Sequence, residues 1–195
     1  MANYKLPCDE QGCCPPYPPH PEPHPTPVTI LNCGTGSGIS LPVENNGLSG
    51  GGGYGFVPQV VGTVNIDTSR LQDINKKIEF SSIINFRAEG FFSFTVVFQL
   101  SAICNGGGKQ PLGTWTFDRQ VGFDYEPSAQ ANGPFELDFD FKDPFGFTWC
   151  ECGECPECCR FIVEVVDVRS CGVECASITN VSISAMAVGL PNHRY

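Results

Sequence analysis

Positive charge is scarce in this chain. Eleven Lys and Arg stand against 21 Asp and Glu, a formal net charge of −10, and the longest basic cluster is Lys76-Lys77. Nucleic-acid binding requires phosphate neutralisation, so no nucleic-acid partner is expected, and an anionic membrane surface would repel the chain. Histidine is scarce as well: His20 and His24 lie in a proline-rich tail and His193 is the third residue from the end. A Ser or Cys nucleophile needs a fixed, oriented base, so no catalytic residue is nominated and the chain reads as a non-enzyme. No apolar run reaches 18 residues, so no membrane-spanning helix is expected. The opening MANYKLPCDEQGCC has no apolar core of a secretory signal. No segment carries a 3.6-residue apolar stripe. Charged residues make up only 16 %, low for a soluble monomer, which suits either a neutral polar surface or a surface buried against neighbours.

Proline, cysteine and period-two alternation are abundant instead. Residues 1–27 hold nine of the 17 prolines and three cysteines, Cys8, Cys13 and Cys14. Prolines lack the amide donor that helices and central strands need. The tail therefore reads as an extended connector, and at ~3.1 Å per residue the 15–27 stretch would reach roughly 40 Å. From residue 28 onward, strands dominate. Ile78, Phe80, Ile84 and Phe86 alternate with Lys77, Glu79, Asn85 and Arg87. Phe92, Phe94, Val96, Phe98 and Leu100 form a second series, Trp115 and Phe117 a third, and Phe135, Leu137, Phe139 and Phe141 a fourth. Further strands are expected at 28–33, 56–66, 160–168 and 176–188. In the last, the apolar parity switches near Thr179–Asn180, which one extra residue in a β-bulge would explain. About eight strands, each with one wet face, predict an antiparallel β-sandwich over 28–195, jelly-roll-like, with an immunoglobulin-like sandwich as the runner-up. Residues 45–55 and 104–111 read as glycine-rich loops.

The 12 cysteines admit two chemistries. Cys150, Cys152, Cys155, Cys158 and Cys159 form overlapping CxxC steps, the spacing that zinc and iron–sulfur sites use. Paired zinc knuckles separate two such units by a loop, however, and a ferredoxin run would need a fourth cysteine where Ile162 stands. Disulfides fit better. The adjacent pairs Cys13-Cys14 and Cys158-Cys159 should each split toward two partners. The body holds nine cysteines, an odd number that cannot close on itself, whereas 12 is even. The candidates for bonds between subunits are Cys8, Cys13, Cys14, Cys33, Cys104, Cys158 and Cys159. Those for bonds within the chain are Cys150, Cys152, Cys155, Cys171 and Cys175, with Cys171 bonding either Cys175 or the 150–159 loop. No cofactor or metal is assigned. Disulfides of this density belong to an oxidising compartment, which conflicts with the missing signal unless the protein is released by cell lysis.

Other motifs carry less. GTGSG at 34–38 lacks the lysine and following helix of a phosphate loop, so Thr35 and Ser37 read as turn residues. Asp138, Asp140 and Asp143 could bind calcium, but two of them share one strand face, as a solvated face would. Tyr54, Tyr125 and Trp149 would serve a carbohydrate-binding jelly roll if exposed.

The stretch PVTILNCGTGSGISLP, followed by Trp115–Phe117, the cysteine-dense 150–159 segment and a final strand at 176–188, resembles an uncharacterised domain family of spore-forming Clostridia. More loosely, the Cys13-Cys14 pair and Cys33 resemble the connector of endospore appendage subunits of the Bacillus group, although Cys8 has no counterpart and the Cys14-to-Cys33 spacing is longer. That second resemblance implies jelly-roll subunits stacked into helical fibres by strand addition and cross-linked through an N-terminal connector. Copies of the chain would be the partners, with a spore-surface anchor protein as a further one, no membrane, and an extracellular location on the spore or cell surface after mother-cell lysis. The alternatives are a cysteine-rich zinc module and a carbohydrate-binding jelly roll.

Overall fold

Alternation of one apolar and one polar side chain along most of the body builds strands and nothing else. The computed structural model describes residues 25–43, 56–122, 138–153 and 158–192. Eight strands occur among them: β1 (Val28–Cys33), β2 (Thr35–Gly36), β3 (Ile39–Leu41), β4 (Gln59–Asp67), β5 (Leu71–Cys104), β6 (Gln110–Val121), β7 (Asp138–Gly153) and β8 (Cys158–Pro191). All pairings are antiparallel. The chain is an all-β antiparallel sandwich, as the alternation predicts.

The strand count agrees with the expectation of about eight, but its partition does not. The series expected as separate strands at 76–87 and 91–102 are two arms of β5, and those at 160–168 and 176–188 are two arms of β8. Both strands turn a corner at a glycine in the left-handed region, Gly90 (φ 57°) and Gly172 (φ 68°), a conformation that costs glycine little. A Cβ at Gly172 would also collide with the Phe91 carbonyl oxygen, so the two corners interlock. The first arm of β5 pairs with β7 and the second arm of β8, whereas the second arm of β5 pairs with β6 and the first arm of β8. Two layers result, joined through the corners.

The inner faces meet in an aromatic core. Phe80 faces Phe98 at 5.8 Å, Phe86 faces Phe94 at 4.9 Å, and Phe98 stacks on Phe145 at 4.4 Å between ring centroids. Ile78, Ile84, Phe94, Phe98, Leu100 and Ile178 are fully enclosed. Burying each such side chain stabilises the fold by about 1.5–3 kcal/mol before conformational entropy is subtracted.

The β-bulge expected near Thr179–Asn180 is present. Asn180 has φ 51°, and the register steps from Ser81↔Ser182 to Ile83↔Thr179, so Asn180 and Val181 oppose Ser82 alone. The extra residue turns Ile183, Ala185 and Ala187 back into the core. The 104–111 loop connects β5 to β6 and opens with a two-residue turn. Asn105 (φ 51°) and Gly106 (φ 71°) occupy its centre, and the Gly107 amide donates to the Cys104 carbonyl at 2.8 Å. Asn-Gly is the pair that such a turn favours.

Candidate functional site: thiols, edges and seams

The two long sides of the sandwich are finished differently. On one side β1, β2 and β3 form a clasp. β1 and β3 pair with the second arm of β8 (Val28↔Gly189 through Cys33↔Ser184, then Ile39↔Ile178 through Leu41↔Ala176), while β2 between them crosses to pair with β4 of the other layer. The Gly34 amide donates to the Ile183 carbonyl at 2.9 Å, and the Ser37 amide donates to the Val61 carbonyl at 3.0 Å. The Asn32 side-chain amide donates to the Asn65 carbonyl at 2.6 Å, and the Thr35 and Thr63 hydroxyls lie 3.2 Å apart. The 34–38 motif is therefore a backbone stitch between layers. Thr35 belongs to a strand rather than to a turn, which corrects the turn assignment. Its glycines are needed for close approach: a Cβ at Gly34 would sit on the Thr63 carbonyl oxygen, and one at Gly36 would lie 2.5 Å from a Val181 methyl carbon.

On the other side, among the described residues, side chains span the layers. Trp115 of β6 stacks on Phe147 of β7 at 3.9 Å and 6°, Phe117 meets Phe145 edge-on at 6.3 Å, and Arg119 Nε donates to Asp143 Oδ2 at 2.9 Å. Among the described residues, β6 and β7 each pair only with β5, so the outer edge of each presents unpaired backbone groups.

The described cysteines divide between one disulfide and six thiols. Cys104 and Cys159 lie directly opposite one another in the β5–β8 ladder and are bonded, with Cα atoms 4.1 Å apart. This corrects the assignment of Cys104 and Cys159 to bonds between subunits: the register places their side chains on the same inward face of neighbouring strands. The adjacent pair Cys158-Cys159 does split, since Cys159 is buried while Cys158 is exposed. Cys33, Cys150, Cys152, Cys158, Cys171 and Cys175 are exposed free thiols. Cys150 pairs in register with Lys77 and Cys175 with Arg87, ten residues apart along β5, or about 33 Å. Bonds from Cys171 or Cys175 to Cys150 or Cys152 are thereby excluded, because a disulfide needs Cα atoms within about 7 Å. Cys8, Cys13, Cys14 and Cys155 lie outside the described residues, as do His20, His24, His193, Tyr54 and Tyr125.

The remaining nominations are placed as follows. Asp140 accepts from Arg87 Nε at 3.0 Å and Asp143 pairs with Arg119, so the two carboxylates serve separate ion pairs on opposite faces of β7. The Asp140 carboxylate raises the Arg87 guanidinium above its ordinary range. No group of three His, Cys, Asp or Glu side chains that could hold a metal occurs among the described residues. Trp149 packs 5.9 Å from Phe161 as a partly buried core ring. Sequence reasoning missed Lys76, which points inward among apolar residues at 7 % exposure with Glu151 Oε2 at 3.7 Å. Its parity with Ile78 was the available signal. It lines a hollow of about 340 Å³ beside the Cys104–Cys159 disulfide. No described helix is long and apolar enough to cross a membrane.

No curated protein matches the chain. Among solved structures, one from infectious bursal disease virus, the Gx strain, matches at 11 % identity and a TM-score of 0.23, covering 85 % of this chain and 41 % of that one. The chain thus spans less than half of that structure's length, and the likeness is too slight to support an argument. A family model described as a domain of unknown function, DUF4489, matches residues 27–188, from the first residues before the clasp to the last core strand, and the chain belongs to that family.

Proposed function

We propose that this chain is a structural subunit that assembles with copies of itself into disulfide-cross-linked extracellular fibres, with the endospore surface as their setting. Unpaired edges of β6 and β7 would add strands from neighbouring copies, and the cysteines of the N-terminal connector would bond thiols on those neighbours. A head-to-tail contact whose rotation does not close generates an open helical filament. The observation that carries this reading is the coincidence of six exposed thiols with two unpaired strand edges on one side of a well-filled sandwich. In a monomer both would be hazards, the edges for aggregation and the thiols for indiscriminate oxidation. In a fibre they are the joints.

The test is electron microscopy and non-reducing electrophoresis of the full chain after air oxidation. Oxidised wild-type protein is expected to give filaments and a ladder of masses that survives hot detergent and collapses with reductant. A Cys13→Ser/Cys14→Ser variant is expected to fold normally and lose the detergent-resistant ladder. An unchanged ladder in that variant would sink the role of the connector, and the absence of any polymer from the wild type would sink the reading as a whole.

A further inference from the structure

The strand register sorts five of the six exposed thiols into two poles of the domain, with Cys33 between them opposite Ser184. β5 leaves the first pole at Leu71, turns at Gly90 and returns to it at Cys104; β8 leaves at Cys158, turns at Gly172 and returns at Pro191. The first pole therefore holds Cys150, Cys152, Cys158 and the Cys104–Cys159 bond, and the corner pole holds Cys171 and Cys175. The described chain enters at the first pole, because Val28 pairs with Gly189.

The corner pole has a feature of its own. Phe91, at the bend of β5, is 59 % exposed. With Val121 and Cys171 it lines an open hollow of about 500 Å³. An exposed ring beside a hollow is what extended, proline-rich segments pack against. The N-terminal segment matches it: Cys13-Cys14 is followed at once by Pro-Pro-Tyr-Pro-Pro.

Length bears on which copy supplies the segment. Cys14 precedes Val28 by 14 residues, about 43 Å at the polyproline rise. Gly189, the partner of Val28, lies 14 strand residues from Cys175, about 46 Å. A copy's own tail would have to run taut along the whole domain to reach its own corner, whereas a neighbour's tail is under no such constraint.

We propose that the corner pole is the acceptor of a second copy's N-terminal segment, with that copy's Pro-Pro-Tyr-Pro-Pro run seated on Phe91 and its Cys13 or Cys14 bonded to Cys171 or Cys175. The proposal rests on the fibre reading and gives the polymer a direction, from the tail pole of one copy to the corner pole of the next. Each bond joins two thiol sulfurs. Two protons and two electrons pass to a low-molecular-weight disulfide, which is released as two thiols, so the atoms balance with oxidised glutathione as co-reactant.

Full-length chain, half of it labelled with heavy nitrogen, is mixed, oxidised with oxidised glutathione, digested without reduction and analysed by mass spectrometry. The expected result is mixed-isotope links between the Cys13-Cys14 peptide and peptides carrying Cys171 or Cys175. Mixed-isotope links to Cys33, Cys150, Cys152 or Cys158 overturn the acceptor assignment while leaving the fibre reading standing, whereas same-isotope links alone mean a chain closed on itself, with no bond between chains. No link between chains overturns both. Phe91→Ser, at a solvent-exposed ring, is expected to slow the coupling about fivefold, and an unchanged rate overturns the docking role of the hollow.

Discussion

The clasped side and the open side of this sandwich solve the same problem in opposite ways. Both must close a gap between two layers. The clasp does it with backbone: β1, β2 and β3 send hydrogen bonds into both layers, pairing with the second arm of β8 and, at Gly62 and Thr63, with β4. The open side does it with side chains, through Trp115 on Phe147, Phe117 on Phe145 and Arg119 on Asp143, and leaves two ladders unfinished. Backbone closure covers the edge of the second arm of β8 and part of that of β4, whereas side-chain closure leaves β6 and β7 paired only with β5 among the described residues. The difference teaches that the same gap can be closed by main-chain hydrogen bonds on one flank and by packed rings and an ion pair on the other.

Substitutions can break or sharpen this contrast. The largest effect is expected at the clasp. Gly34→Val has no room beside the Thr63 carbonyl and should destabilise the subunit by ~4 kcal/mol or more, read as a large drop in the denaturation midpoint of the reduced subunit. On the open side, Trp115→Ala removes a partly exposed stacked ring and should cost about 2–3 kcal/mol, a loss the fold survives. If both variants were equally stable, backbone and side-chain closure would be equivalent and the contrast would fail. Thr116→Lys places a charge on the exposed face of β6 and should leave stability within ~0.5 kcal/mol of wild type while reducing polymer yield, because lysine on an edge discourages strand addition.

The smallest effect is electrostatic. Asp67 ends β4, and its carboxylate accepts from the Ser69 amide at 3.0 Å, which holds it below its ordinary value. A depressed carboxylate contributes stability above its unfolded value, near ~3.9, and that contribution is lost as pH falls through the folded-state value. Acid titration of Asp67→Asn, which keeps an acceptor without a titrating proton, should show a slightly shallower loss of stability below about pH 4. An identical acid limb in the two proteins would mean the turn is not held by this charge.

Much of this fold was legible because alternation carries it. The inward phenylalanines of β5 and the bulge at Asn180 followed from parity alone, since a period of two admits one reading of which face is buried. The corners were not legible. The 76–87 and 91–102 series read as two strands, and only pairing with β8, which bends at the same level, makes the Gly90 break a bend in a continuous strand. The clasp was missed for a related reason: β2 has two residues, too few for any periodicity, and the need for glycine at 34 and 36 arises from β4 and β8, far off in sequence. Of the cysteines, the splitting of Cys158-Cys159 was readable because adjacent residues on a strand point to opposite faces. That Cys159 meets Cys104 within one chain depends on register, which spacing does not encode.

The central claim, that main-chain hydrogen bonds hold one flank while the proposed assembly adds strands to β6 and β7 on the other, is tested most directly by amide hydrogen exchange measured on the reduced subunit and on the oxidised polymer. The account predicts that amides of β6 and β7 facing the open side gain strong protection on assembly, while those of β1, β2 and β3 are protected equally in both. New protection confined to the clasp, with β6 and β7 exchanging as freely in the polymer as in the subunit, would contradict it.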